Sequence, residues 1–198
     1  LTRLTLGVES DALWKTQVDT GRRFGADNAW GLRFNGSYSD GDGFLDGAES
    51  GGYLGALALD YRGERLRMSL DAYRLQNELS GARALNATVA NFSGSASWLS
   101  SMPAAPDGRT IVVPGAPTFK ETTHAAILGG EYDFNDRWTG YAKLGVGRTE
   151  ANGFYDFVQD IQANGDGDLA LFDSPQFVET KTGEIGLRGR FQTETVSH

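Results

Sequence analysis

In the stretch Trp30-Gly-Leu-Arg-Phe-Asn-Gly-Ser-Tyr38 every second residue is apolar or small: Trp30, Leu32, Phe34, Gly36 and Tyr38. The stretch Tyr53-Leu-Gly-Ala-Leu-Ala-Leu-Asp-Tyr61 repeats the pattern with Tyr53, Gly55, Leu57, Leu59 and Tyr61. A period of two is the signature of a β-strand with one apolar face. Each stripe begins and ends on an aromatic residue with a polar atom, eight residues apart. Eight steps of about 3.3 Å, tilted by about 40°, rise roughly 20 Å along a membrane normal. Barrel strands facing lipid need an apolar band of about that height, edged by aromatic girdles at both interfaces. Tyr and Trp suit those edges because the ring lies among acyl chains while its polar atom stays wet.

The same alternation predicts about eight strands, over residues 1–9, 13–23, 28–39, 52–62, 65–78, 120–134, 137–149 and 177–193. One face collects Leu4, Leu6, Trp14, Val18, Met68, Leu70, Leu128, Leu144, Val146, Ile185 and Leu187. The other carries Asn35, Ser37, Asp71, Glu184 and the charges Arg33, Arg67, Lys143, Arg188 and Arg190, which suits a wet lumen. Helical periodicity is weak throughout; its nearest candidate, 155–163, is short and uncapped. Connections sort by parity. Tight turns follow the second, fourth and sixth strands, at 24–27, 63–64 and 135–136, and long loops follow the third, fifth and seventh, at about 40–51, 79–119 and 151–176. Loops of that length are unusual in a compact soluble domain. Short turns at one end and long loops at the other describe an outer-membrane barrel wall. Trp30, Tyr61, Tyr132 and Trp138 then form a girdle at the tight-turn end, with Tyr38 and Tyr53 at the loop end. The expected fold is an all-β antiparallel meander from a transmembrane barrel, with residues 1–198 as one partial barrel domain. A β-sandwich or soluble meander, its apolar face turned to an internal core, is the alternative.

Composition narrows the function. The net charge of −8 argues against nucleic acid as a partner, since phosphate binding needs a basic face. The absence of cysteine excludes disulfides and thiol chemistry. No run approaches the 18 apolar residues of a membrane helix, which excludes a helical membrane protein and says little about a barrel. The chain opens on Leu1-Thr-Arg, without a leader pattern, as expected if a leader was removed or the chain is a piece of something longer. The two histidines, His124 and His198, have no partner at metal-ligand spacing, and His124 is expected in the wall near the upper membrane edge. Gly145-Val-Gly147 lacks the third glycine of a dinucleotide fingerprint. Two acidic loops, Asp40-Gly-Asp-Gly-Phe44 and Asn164-Gly-Asp-Gly-Asp168, fail as calcium loops because position twelve is Gly51 in one and Pro175 in the other.

The run Arg22-Arg23-Phe-Gly followed by Gly31-Leu-Arg-Phe-Asn-Gly-Ser-Tyr-Ser-Asp-Gly-Asp-Gly-Phe44 resembles the early barrel of TonB-dependent siderophore receptors. Leu57-Ala-Leu-Asp-Tyr-Arg62, Arg65-Leu-Arg-Met-Ser-Leu-Asp71 and Glu131-Tyr-Asp-Phe-Asn-Asp-Arg-Trp-Thr-Gly-Tyr-Ala142 are similar to successive strand-turn-strand units of that family. The resemblance covers most strands and none of the long loops. It implies the bacterial outer membrane, membrane lipid as surroundings, a ferric siderophore as transported ligand, and binding with gated passage rather than catalysis. It implies no cofactor held by the chain itself. The family's barrel has 22 strands behind a globular plug. Here about eight strands occur and no plug sequence precedes Leu1, so the expectation is an N-terminal portion of a barrel, coupled to TonB only through a plug that it lacks and unable to transport alone.

Four loop aromatics, Phe44, Trp98, Tyr155 and Phe157, would suit stacking on a catecholate or hydroxamate chelate, or equally folding of the loops onto each other. Two further readings stand beside the receptor. One is a self-contained small outer-membrane barrel, an adhesin or a lipid-modifying enzyme; the other is a soluble β-sandwich binding module. Strands cut from a larger barrel leave unpaired edges, so the isolated chain is expected to self-associate through them, to close on itself or to need detergent.

Overall fold

A computed structural model describes residues 2–9, 12–81, 109, 116–159, 168–193 and 196–197. Eight strands form one antiparallel sheet. They are β1 (Thr2–Val8), β2 (Trp14–Phe24), β3 (Trp30–Asp42), β4 (Glu49–Arg62), β5 (Leu66–Gly81), β6 (Ala116–Asp133), β7 (Trp138–Asn152) and, after an excursion, β10 (Gln176–Gly189). The excursion is a separate hairpin of β8 (Phe154–Gln159) and β9 (Asp168–Asp173). Sheet order follows chain order, β1-β2-β3-β4-β5-β6-β7-β10, as a meander requires. Among the described residues no pairing joins β10 back to β1, so these eight strands are an open wall, not the small closed barrel of the second reading.

The predicted strands are all present, and most run further than alternation indicates. β3 and β4 remain paired up to Asp42 and Glu49, which shortens the loop expected at 40–51 to residues 43–48. β5 continues to Gly81 and β6 starts at Ala116. The polar, glycine-rich ends of these strands (Ser-Asp-Gly-Asp after Tyr38, Glu-Ser-Gly-Gly before Tyr53) hide the extension, because the apolar alternation stops before the ladder does. Of the nearest helical candidate, 155–163, residues 155–159 belong to a strand, 154–159, paired with 168–173, and 160–163 lie outside the described residues. The last long strand ends at Gly189 rather than 193; Gln192–Thr193 instead pairs with Val196–Ser197.

The tight turns have local causes. Between β2 and β3 the backbone enters the left-handed region at Gly25 (φ 80°), Asp27 (φ 53°) and Asn28 (φ 55°), residue types that tolerate it. Between β6 and β7 the Asn135 side-chain oxygen accepts hydrogen bonds from the backbone N–H of Arg137 (2.9 Å) and Trp138 (3.1 Å), an Asx-type turn.

The sheet has no core of its own. Among the described residues only Leu45 and Ala48 are buried hydrophobics, and they pack with Leu79 beneath the β3–β4 loop. Leu144 is 62 % exposed and Ile185 86 %. A soluble sandwich places such a face against a second sheet, and no second layer covers it among the described residues. No described helix is long and apolar enough to cross a membrane, which says nothing of strands.

Candidate functional site

The two apolar stripes lie side by side in perfect register: Trp30 opposite Tyr61, Leu32 opposite Leu59, Phe34 opposite Leu57, Gly36 opposite Gly55 and Tyr38 opposite Tyr53. The Trp30 and Tyr61 rings pack with centroids 4.9 Å apart. Directly opposed residues in a sheet are the neighbours that matter energetically, so each aromatic end of the two stripes is supported from the adjacent strand. Tyr132 continues the lower edge on β6, packed edge-on against Phe134 at 5.4 Å, and Trp138 continues it on β7 above Gly189 of β10.

Following the ladder across the wall shows that the band steps rather than runs level. On the apolar face the lower edge is Trp30 on β3 and Tyr61 on β4, drops two residues to Leu66 on β5 and Tyr132 on β6, and drops two more to Trp138 on β7 and Gly189 on β10. The upper edge makes the same steps: Tyr38 and Tyr53, then Arg74 and His124, then Val146 and Lys181. Trp30 to Tyr38, Tyr61 to Tyr53 and Tyr132 to His124 each span eight residues while the register slides, and on β7 Val146 is the last apolar residue before Arg148. A horizontal slab cutting across tilted strands demands this geometry, since barrel strands incline by about 35–45°. Above the upper edge the same face turns polar, with Gln76, Glu78, Lys120, Thr122 and Glu150.

The opposite face carries the expected lumen charges, and the ladder brings them together unevenly. Arg67 lies at the centre of a network at the tight-turn end. Its guanidinium donates to Asp133 (2.6 and 2.8 Å) and to Glu131 (3.1 Å), and Arg188 also donates to Glu131. The Thr139 hydroxyl donates to Asp133 (2.6 Å), and the Arg188 guanidinium lies over the Tyr141 ring at 5.0 Å. Arg67, Arg188 and Arg190 share one cavity of about 340 Å³ with Arg137, Glu131 and Asp133. Arg33 stands apart, paired through two donors with Asp19 (2.8 and 2.7 Å). Lys143 lies between Gly129 and Glu184 in register. A second anchor binds Arg23 to Asp60 (2.9 Å) and to the carbonyls of Asn28 and Ala29 (2.8 and 3.0 Å), tying the β2–β3 turn to β4.

The carboxylates Asp19, Asp60, Glu131 and Asp133 were not singled out in the sequence, although each faces its arginine once the tight turns fix register. Nor is this face uniformly polar. Leu54, Ala56, Tyr73, Leu75, Ala125 and Ile127 are adjacent on it, an apolar patch between the arginine network and the polar upper end. On the apolar face the missed residues are Arg74, Arg148 and Lys181, whose signal was a break in an otherwise apolar parity.

Of the four loop aromatics, Phe44 is presented by a pinned loop. Gly43 N–H donates to the Ala48 carbonyl (2.7 Å), Ala48 N–H to Leu45 (3.1 Å), and Arg109 reaches Asp46 (3.0 Å), leaving Phe44 65 % exposed. Trp98 lies outside the described residues. Tyr155 and Phe157 are alternate residues of β8, and their side chains are likewise outside what the structure describes. No group of three metal-ligating side chains occurs among the described residues.

No family model matches the chain. The chain is 30 % identical, over an alignment of 200 positions that covers 100 % of it, to the ferrichrome receptor FcuA of Yersinia enterocolitica, of which it spans 25 %. Its fold superposes on the ferric preacinetobactin receptor BauA of Acinetobacter baumannii with a TM-score of 0.82 at 30 % identity, over 99 % of this chain and 28 % of that one. The pyoverdine outer-membrane receptor FpvA of Pseudomonas aeruginosa shares the fold at a TM-score of 0.79 and 14 % identity, over 100 % of this chain and 28 % of that one. The chain thus spans about a quarter of the length of the relatives it matches.

Proposed function

The chain belongs to the TonB-dependent siderophore-receptor family, as a stretch of barrel wall in the bacterial outer membrane, and from this premise we propose that its parent protein imports a ferric siderophore by binding and gated passage. The observation that carries the proposal is the pairing of two facts over the same residues. The apolar band shifts register from β3 to β10 as a membrane slab across tilted strands requires, and identity of 30 % with receptors for two ferric chelates extends over essentially the whole chain. These relatives are receptors, not enzymes, and the wall presents binding surfaces rather than a reacting centre.

In this reading the two faces have different partners. The apolar face meets lipid. The opposite face meets the plug of the parent, whose own acidic and basic groups would engage the cavity around Arg67, Arg188 and Arg190, and whose apolar surface would cover Tyr73, Leu75 and Ile127. TonB acts on the plug and not on this wall. The ferric chelate is the cargo. Phe44, with Trp98, Tyr155 and Phe157 on the neighbouring long loops, stacks on its aromatic or amide planes at the outer surface, and the pinned β3–β4 loop favours Phe44 as the preorganised member.

The test uses the whole receptor in a strain lacking other siderophore uptake. Accumulation of radioactive iron is followed with a ferric hydroxamate and a ferric catecholate, with and without TonB. TonB-dependent accumulation from at least one is expected, with Phe44→Ala weakening chelate binding about tenfold, as loss of an aromatic contact of 1–1.5 kcal/mol would. Uptake that proceeds equally without TonB, or from neither chelate, overturns the proposal.

A further inference from the structure

Charge on the inner face is distributed by height. Toward the tight-turn end the rungs carry Asp60, Lys143 and Glu184, then Arg67 and Glu131. From the upper part of the apolar patch onward they carry almost none. One rung runs Ser37, Leu54, Leu75, Thr123, Thr149 and Val178 from β3 to β10. The next runs Ser39, Gly52, Asn77, Glu121, Ala151 and Gln176, and the topmost runs Gly41, Ser50, Leu79 and Phe119. Across these rungs the single charge is that of Glu121, and it is negative. What the wall offers instead is hydroxyl and amide: the Thr123 and Thr149 hydroxyls hydrogen-bond each other at 3.0 Å, and Ser37, Ser39 and Asn77 stand on the neighbouring strands.

The cations at the outer end are already matched. Lys15 binds Glu9 at 2.6 Å, Arg109 binds Asp46 at 3.0 Å, Lys120 binds Glu78 at 2.8 Å, and Arg148 binds Glu150 and Glu179 at 2.6 and 2.7 Å. Arg74 and Lys181 lie on the lipid-facing side at the upper edge, away from the interior. Carboxylates, by contrast, are left over. Asp42 lies directly opposite Glu49, with Asp40 on the same face; all three are exposed and, among the described residues, without an ion pair. Like charges directly opposed destabilise a sheet, so this arrangement is not explained by the fold. The three stand at the base of the loop that presents Phe44. The surplus is therefore negative on the outer rim and on the inner wall alike.

A chelate entering this mouth meets, among the described residues from β3 to β10, no uncommitted cation on the inner wall. Three hydroxamates cancel the charge of a ferric ion, whereas three catecholates leave three negative charges. The trianion would meet like charge at the rim and then lose hydration against a wall that returns no counter-charge, a cost at both steps. A neutral chelate gives up little on entry, and its carbonyl oxygens accept hydrogen bonds from serine, threonine and asparagine. We propose that the chelate taken by the parent carries no net negative charge and is of the tris-hydroxamate class, a selection that rests on the parent being a siderophore receptor. Glu121 is the inner-wall position at which that selection can be read, because it alone sets the sign of the charge there.

The test uses the whole receptor in dodecyl maltoside, with chelate binding read by tryptophan quenching. The probes are one linear ferric tris-hydroxamate with a pendant amine, its acetamide and its succinamate, together with a ferric tris-catecholate. The first three keep the iron centre constant while the pendant charge passes from positive through neutral to negative. Affinity should fall about fivefold per step at about 0.01 M salt and converge at about 0.5 M, with the catecholate weakest. Glu121→Gln and Glu121→Lys should strengthen catecholate binding by about threefold per step and move the acetamide by less than about twofold. A flat series, a gap that salt does not close, a catecholate bound more tightly than the acetamide, or a catecholate affinity unchanged in both Glu121 variants each overturns the charge selection and leaves the receptor reading intact. Should neither variant fold, the series on the wild type decides alone. Failure to bind any of the four probes instead overturns the receptor reading, and the charge selection with it.

Discussion

Replacing Leu128 with lysine puts the membrane reading under direct stress. Leu128 lies four residues from Tyr132 and four from His124, so it marks the midpoint of the β6 band, about 10 Å from either edge. Its register neighbours are Leu70 and Leu144, and the side chain is 45 % exposed in the wall alone. Roughly half of a leucine's burial is thus supplied by the sheet, worth about 1 kcal/mol, and Leu128→Ala measures that share. Lysine adds the cost of a charge at the bilayer midplane, about 2–4 kcal/mol, which falls to about 0–1 kcal/mol at the interface. The series Leu128→Lys, Ala126→Lys, His124→Lys should accordingly descend from several kcal/mol to nearly nothing across four residues. Thr182→Lys, on the opposite face beside Gly145, should stay within about 0.5 kcal/mol. The assay is urea unfolding of the whole receptor in lipid vesicles, read by tryptophan fluorescence. A flat series would refute the reasoning, because burial by protein gives no gradient along the strand. So would a Thr182→Lys cost equal to that of Leu128→Lys.

Three other outcomes follow from the same geometry. In variants retaining only Trp30 or only Trp138, lipids brominated near the headgroup should quench fluorescence more strongly than lipids brominated at the chain centre; the reverse order would remove both from the girdle. Gly52→Ala should lower the unfolding midpoint, since the added carbon would collide with the Gln76 carbonyl oxygen, an overpacking cost of about 1–3 kcal/mol; an unchanged midpoint contradicts the close approach. Residues 1–198 alone, transferred to detergent-free buffer, should sediment as associated species through the open edges of β1 and β10, and a monodisperse monomer would contradict this.

Much of the wall was legible in the sequence because a two-residue period is a direct record of two different solvents. Trp30 to Tyr38 and Tyr53 to Tyr61 disclose their strands, their common height and their shared face, and the tight turns disclose which end is which. Strand ends were legible only where apolar alternation continued. Asp40, Asp42 and Glu49 read as loop, yet they are paired, because backbone hydrogen bonding does not require an apolar side chain. Residues 154–159 were equally opaque, since Tyr155 pairs with Phe172 between two short strands inside a segment, 151–176, that reads as one long loop. That the arginines share the face opposite the stripes was legible by parity, but their carboxylates needed register: Arg67 meets Glu131 across 64 positions of chain. Arg74 and Lys181 were passed over for the opposite reason, since a charge on an apolar stripe looks like an interruption until the stripe is seen to end there.

The constant interval between edges has a consequence for how such a chain can change length. Duplicating or deleting two residues inside the band of one strand preserves which side chains face lipid, yet it shifts that strand's edge residue by about 5 Å against its neighbours. A single-residue change exchanges the two faces outright. Within the band, then, insertions and deletions are filtered in every one of these strands, while beyond the upper edge they meet no such filter. Surface loops can lengthen, shorten and diversify while the count from Trp30 to Tyr38, or from His124 to Tyr132, stays fixed, so that variation in length becomes a map of where the membrane stops.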